Sequence, residues 1–475
     1  MVDKSNLIKP GWGDDDTSLR YMVKLAGPMI VTTISFTIMQ LIDRFMVSRL
    51  GTAQLAAVPA AAAISFISGG FMLGVFSSVA TYVSQCLGRG NKRECSSYFW
   101  QAVYMGLGYS AIVLAIGWPM APKIFESLGQ DTQVIGYEVE YFRIILCAHL
   151  VAVIVWASNQ FFMGIHRPIV SMYSSMIAQV TNVAANYILI FGKFGFPEMG
   201  VAGAAWGTFI GVSVGAGVRM AWFLTGDTAK TFASRNNLRL DLSKMASLLR
   251  VGLPAGIELA LNVAIWQSIL YWLVGGFGKE QQAATAVVLS CCHVAIMPMV
   301  GLRYAITAAV GKAIGKGRYD VVARQTRFCL IAAVGYMLIV GIVFLIFRYE
   351  LMGLWSNDDI VVQAGAKAIL FAAVYQLFYG IRTVYSGALR GAGDTMWLAL
   401  WSAVGTILVL GAAGMAIVKL MPELGSTGPW IAAGASVMVV SAANYMRFAG
   451  NKWKQIELFE RREVAVAIED EAILD

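Results

Sequence analysis

Asp43 lies near the far end of residues 25–50, a run that is nearly all apolar. Such a run crosses a bilayer as a helix rising about 1.5 Å per residue. A carboxylate inside it costs at least ~2.5 kcal/mol on insertion scales, so it is expected to face a partner or a water-filled cavity. A carboxylate in that position can take up and release a proton, or ligate a sodium ion, during a transport cycle. The bland alternative is a structural ion pair with Arg44 or another arginine. Arg44 is a poor partner, because adjacent residues point about 100° apart on a helix.

Three further charges lie deep in apolar segments: Glu258, Arg303 and Arg382. Together they would form a buried cluster with one excess positive charge. Either Glu258 neutralises an arginine and fixes helix packing, or the remaining charge faces a central cavity and receives an anionic or zwitterionic group. His149 and His293 also fall in apolar segments and His166 at a loop; imidazoles that link helices are the expected reading, with titration near neutral pH as the alternative. Trp156, Phe161, Met163, Trp266 and Trp272 are candidates for an adaptable apolar pocket, or for ordinary packing and lipid contact. The six cysteines lack metal-ligand spacing and read as membrane-buried free thiols.

The elements that must position these groups follow from composition. Of 475 residues, 58% are hydrophobic and only 13% charged, about half the charge of a soluble domain. The spacing predicts an all-α integral membrane protein with twelve spans, at about 21–50, 53–87, 94–120, 131–162, 168–192, 198–225, 246–276, 280–314, 318–348, 359–389, 395–420 and 425–448. No cleavable signal is visible, so the first span is expected to act as its own insertion signal. Lys and Arg concentrate in the connections after even-numbered spans, as at Arg89, Lys92 and Arg93, which puts both termini in the cytoplasm. This topology accounts for the net charge of +8 without a nucleic-acid partner.

The longest polar break, 226–245, divides the chain into similar halves. Residues 73–92 match 300–319 at an offset of 227, which places Gly74, Gly88 and Gly90 on Gly301, Gly315 and Gly317. GIHR at 164–167 matches GALR at 387–390, MGVAG at 199–203 matches LGSTG at 424–428, and Gly27-Pro28 corresponds to Leu253-Pro254. Six spans per half is an even number, so the halves share one orientation, related by a pseudo-two-fold axis along the membrane normal. The expected organisation is a cytoplasmic segment 1–20, an N-lobe 21–225, a cytoplasmic linker 226–245, a C-lobe 246–448 and a cytoplasmic tail 449–475. The tail, carrying Trp453, Leu458 and Phe459, is read as a short solvated or membrane-surface helix.

Over residues 20–448 the chain resembles the multidrug and toxic compound extrusion (MATE) family. The resemblance is carried by Asp43 with the following RFMVSRLGTAQLAA, the GRG turn at 88–90, NVAANYILIFGKFG at 182–195, GVAGAAWGT at 200–208, GLPAG at 252–256 and SGALRGAGDT at 386–395. It implies an antiporter that exports organic, often cationic, compounds in exchange for protons or sodium ions. It also implies an ion-coupling group at Asp43, Tyr141, Asn159, Asn182, Asn186 and Thr208. The spacing of Asn182 and Asn186 makes sense by itself: four apart, they share a helix face and could hold an ionised Asp43 or complete a sodium shell with it. Their alternative role is interhelical hydrogen bonding, at ~0.6 kcal/mol per bond. Two departures matter: Asn186 stands where many relatives have a second acid, and Phe36 where some have Gln. One carboxylate suits a proton site better than a tight sodium site. In the C-lobe, Asn262 and Tyr379 fall where the sodium-coupled branch has acids. With Glu258, Arg303 and Arg382 they form the candidate substrate cavity.

No nucleotide-binding loop or HExxH is present in the sequence, which argues against ATP-driven transport and against an enzyme. The reading is a secondary active antiporter of the cell membrane, monomeric, without cofactor beyond its coupling ion, taking cationic or amphoteric amphipathic compounds. An organic-anion exporter or a flippase for lipid-linked substrates is the alternative.

Overall fold

The computed structural model of the chain describes residues 18–129, 131–262 and 266–459, and these contain helices and turns but no strand. The first six crossings are α1 (Leu19–Ser48), α2 (Thr52–Gly88), α3 (Lys92–Glu126), α4 (Thr132–Gly164), α5 (Pro168–Ile190) and α6 (Gly200–Leu224). A short helix, α7 (Gly226–Thr231), opens the connection to the second half. There α8 (Leu242–Ala260) and α9 (Trp266–Gly275) form one crossing, followed by α10 (Lys279–Gly315) and α11 (Tyr319–Ile346). After the short α12 (Arg348–Gly353) come α13 (Asp359–Ala392), a crossing that runs from α14 (Thr395–Ala403) through a π-helical stretch, Val404–Ala413, into α15 (Gly414–Leu420), and α16 (Thr427–Ala449).

Side-chain caps set several starts. Ser18 accepts from the Tyr21 amide, Asn91 from Glu94, Asp131 from Gln133, Asp241 from Ser243 and Lys244, and Asp358 from Ile360; each satisfies an amide that the helix leaves unpaired. Nine crossings among the described residues are long and apolar enough to span a membrane by composition alone. The crossing made by α8 and α9, together with α5 and α16, completes twelve. α5 and α16 fall short because they carry polar side chains that are buried against neighbours, such as Asn182 and Asn186 in α5 and Ser436, Ser441 and Asn444 in α16. Lipid does not see those groups, so hydropathy understates both helices.

The lobes meet through α2 against α8, α10 against α1, and α2 against α10. These contacts obey the sequence repeat. Gly74 lies against Ala255 and Gly256, and its counterpart Gly301 lies against Met29 and Ile30. Gly88 and Gly315 meet directly: a Cβ on Gly88 would stand 2.9 Å from the Gly315 Cα. Only glycine permits backbones to approach this closely. Repeat-equivalent residues touching each other place the pseudo-two-fold axis between α2 and α10.

The first turns of α1 and α8 cross to the other lobe. Tyr21, Met22, Leu25 and Met29 join a core built mainly from α10, α11 and α13, whereas Leu248 and Val251 join one built from α2, α3 and α4. Polar bonds reinforce this end. Lys244 pairs with Glu94 at 3.1 Å, Tyr82 OH donates to the Ser247 carbonyl at 3.1 Å, and Gln85 Nε2 donates to the Gly391 carbonyl at 3.0 Å. His166 Nε2 lies 3.1 Å from the Ala308 carbonyl and Nδ1 lies 2.6 Å from Tyr21 OH, so His166, read from the sequence only as a loop residue, links α1 to α10. The protein is therefore closed at the end that carries Arg89, Lys92 and Arg93.

Two sequence expectations are refined. The connection 226–241 is fastened to α3: Trp100 donates to the Ser234 carbonyl, Gln101 to Arg239 and Tyr104 to Leu238. Over 450–459 the tail has a short 3-10 helix, Lys452–Gln455, whose lysines are exposed, and it is anchored to the lobes by two aromatics. Trp453 stacks on Phe448, and buried Phe459 packs edge-on to Tyr82 and Tyr98 beneath the Arg89 guanidinium, 4.2 Å from its ring. Burial of two large aromatics outweighs the mixed charge of this segment. Residues 1–17 and 460–475 lie outside the described residues. All six cysteines are free.

Candidate functional site

Asp43 is in the last turns of α1, half-buried, facing α5. Asn186 Nδ2 donates to Asp43 Oδ1 at 2.7 Å and to Asn182 Oδ1 at 3.3 Å. Asn182 Nδ2 donates to Thr208 Oγ1 at 3.4 Å, and that hydroxyl donates to the Ala204 carbonyl at 3.0 Å. The helical offset of four thus produces one polar thread from α1 through α5 to α6. Close packing of α5 on α6 permits it: a Cβ at Gly207 would overlap the Asn186 side-chain oxygen. That oxygen is buried without a hydrogen-bond partner. It faces the α6 backbone at Gly207, while Nδ2 of the same amide holds both Asp43 Oδ1 and Asn182 Oδ1. Buried Tyr141 lies within electrostatic reach of Asp43. Asp43 makes no ion pair with Arg44, so the structural pairing is not what holds it.

Asn159 is not part of this thread. It lines a central cavity of about 480 Å³ between the lobes, and its Oδ1 is buried and unpaired. The cavity wall includes Gln40, one turn before Asp43 on the same helix face, so the carboxylate lies one turn beyond the lined stretch of α1. Trp156 and Trp266 also line it. Phe161 and Met163 are instead packed in cores, and Trp272 is 65% exposed on the outer surface.

The C-lobe half of the cavity contains Glu258, Asn262, Arg303, Tyr379 and Arg382 together. It also contains Arg390, which sequence reasoning placed in a turn motif and did not assign to the site. Arg390 ends α13 and is the direct partner of Glu258. Its other nitrogen donates to Ser77 Oγ of α2 at 2.7 Å, so this one guanidinium ties three helices and both lobes beneath the cavity. Arg382 donates to Asn262 Oδ1 at 2.5 Å and Ser402 Oγ at 3.2 Å, and lies 3.9 Å from Glu258. Arg303 has no carboxylate within ion-pair distance among the described residues; its guanidinium lies 5.8 Å from the Tyr304 ring centre. The signal that could have found Arg390 is its position four residues before Asp394, which showed only that α13 ends there.

Two repeat-related six-helix lobes around one cavity, sealed at one end, define a membrane transporter of small molecules. The MatE family matches residues 28–188 and 254–413, one match in each lobe, and the chain belongs to that family. A Rhizobium meliloti relative described as probable multidrug resistance protein NorM is 28% identical over 386 residues, covering 80% of this chain and 82% of its own. A Thermotoga maritima protein of the same description is 24% identical over 456 residues, covering 93% and 95%. Among solved structures, an outward-facing multidrug resistance MATE transporter of the MOP superfamily superposes with a TM-score of 0.85 at 19% identity, covering 92% of this chain and 97% of that one. MATE in complex with MaL6 gives 0.85 at 19%, covering 93% and 98%. At these identities the structural likeness establishes the twelve-helix, two-lobe fold.

Proposed function

We propose that the protein is a secondary active antiporter that exports small amphipathic organic compounds by alternating access between the lobes, in exchange for protons or sodium ions. The observation that carries this reading is the thread from Asp43 through Asn186 and Asn182 to Thr208, which begins one helical turn along α1 from the cavity wall at Gln40. Protonation of Asp43, or capture of a cation by it, weakens the charge-assisted bond from Asn186 and repacks α1 against α5. That repacking changes the lining at Gln40 and displaces cargo. With a single carboxylate, the proton is the better supported ion. The relatives' description as multidrug resistance proteins supports export of organic compounds. The basic loops support a topology in a bacterial-type cell membrane with both termini cytoplasmic. The sealed end then faces the cytoplasm, and the cavity opens outward. The protein is proposed to work as a monomer, since each lobe pair encloses a complete cavity, with lobes divided as 21–225 and 246–448.

The test is efflux from proteoliposomes under an imposed pH gradient or an imposed sodium gradient. The proton reading expects the pH gradient alone to drive export in the unaltered protein and Asp43→Asn to abolish it. Gradient-driven export that survives Asp43→Asn overturns the coupling role.

A further inference from the structure

We infer that the C-lobe half of the cavity is a binding site for the anionic head of an amphipathic organic acid, with Arg303 as its cationic partner. This rests on the transporter reading for the site's purpose but is tested without transport.

Among the described residues, four side chains with fixed charge line the cavity: Glu258, Arg303, Arg382 and Arg390. Three arginines against one glutamate leave two formal positive charges. The single negative charge is engaged by Arg390 and approached by Arg382. Arg382 is further held by Asn262 and Ser402, and Arg390 by Ser77. Arg303 is the remaining cation. It is half-buried in α10, with Tyr304 and Tyr379 beside it and no carboxylate within ion-pair distance among the described residues. A cation held inside a membrane protein without a counterion is costly, and a bound anion offsets that cost. Asp43 does not line the cavity, and its carboxylate accepts from Asn186.

The rest of the lining fits the body of such a ligand. Trp156, Trp266, Tyr304, Tyr375, Tyr379 and Trp430 give flat apolar faces around the charged floor, and the volume suits one molecule of drug size. Aromatic faces alone would favour a cation, but here they surround an excess of positive charge, which repels one. The guanidinium's planar fork matches a carboxylate or sulfonate.

The experiment uses three probes with one body: 1-pyrenebutyrate, neutral 1-pyrenebutanol and cationic 1-pyrenebutylamine. Binding to the full chain in phosphatidylcholine nanodiscs is read as energy transfer from tryptophan to pyrene, with empty discs as the blank. The butyrate is expected to bind at least about tenfold more tightly than either other probe. Arg303→Gln should cut the butyrate's advantage over the alcohol by at least about fivefold while the alcohol binds as before, and Arg303→Lys should retain more of the preference. If Arg303→Gln binds neither probe, Arg303→Lys decides: a retained preference supports the site, and a lost one overturns it. An amine that binds as tightly as the butyrate, or an anion preference undiminished by Arg303→Gln, also overturns it. No ion gradient is involved, so a failed antiport assay and a failed anion site are separate results.

Discussion

Asn186 Nδ2 donates to Asp43 Oδ1 at 2.7 Å, joining α5 to α1 across 143 positions of sequence. The donor is an amide and the acceptor a carboxylate, so the bond is strong only while Asp43 is ionised. Replacing Asn186 with Ala should remove about 1.5–3 kcal/mol from the ionised state, the scale of a hydrogen bond to a charged group. The apparent affinity for the coupling ion then changes by about tenfold or more, whereas Asn182→Ala, which loses neutral bonds of ~0.6 kcal/mol, changes it by about threefold. Export rate against the size of the imposed gradient measures both. Equal effects at the two positions would show that the direct bond to Asp43 is not special.

Glu258 holds two arginines in place and leaves a third without a carboxylate. Glu258→Gln should therefore destabilise the protein by about 3–5 kcal/mol, because it leaves uncompensated buried charge. The double change Glu258→Gln with Arg390→Met should recover much of that loss, since it removes a cation with the anion. Thermal unfolding in detergent reads both, and a double variant as unstable as the single one counts against the pairing.

Gly88 and Gly315 are in contact on the pseudo-two-fold axis. A valine at either position should push α2 from α10 and cost the sealed state about 1–3 kcal/mol, the usual penalty of overpacking. Ser84, also on α2 at this seam and buried, reports it. In a background without the six native cysteines, Ser84→Cys should react slowly with an aqueous maleimide. It should react faster when Gly315→Val is added. Unchanged labelling would mean that the seam tolerates the side chain.

The tail crosses from Trp453, in the core at α11 and α16, to Phe459, on α2 and α3. Phe459→Ala should release this strap at a cost of up to about 3 kcal/mol. Hydrogen exchange of amides 450–459 should quicken while exchange in α2 stays slow. Quickening throughout α2 would instead indicate that the residue supports the lobe itself.

Asp227 lies outside the spans, in α7. The hydrogen bond from Arg167, at 2.6 Å, holds its carboxyl below the ordinary value of 3.8, with a further bond from Thr231. A lowered folded pKa stabilises fully above the unfolded pKa, and the contribution is lost as pH falls through the folded one. Asp227 is 54% exposed, so solvent screening limits the pair to under about 1 kcal/mol. Asp227→Asn should lower the melting temperature slightly near neutral pH, and the difference should shrink as pH falls below the ordinary carboxylate value of 3.8. A pH-independent difference would point to packing rather than charge.

The sequence by itself determined the twelve crossings, the repeat and the location of Asp43. Hydropathy and punctuating glycines are local signals, and a charge inside an apolar run is conspicuous without any coordinates. It also placed Asn182 and Asn186 on one face, since helical phase is fixed within a single element. Which groups meet across elements was decided only in three dimensions. Asn159 faces the cavity and not Asp43, because the phase of α4 relative to α1 depends on packing. Glu258 finds Arg390, 132 positions away, because α8 and α13 converge beneath the cavity. The sealing of one end, the anchoring of Trp453 and Phe459 and the isolation of Arg303 all follow from how the lobes dock. Docking depends on the shapes of many side chains at once, which no single stretch of the chain encodes.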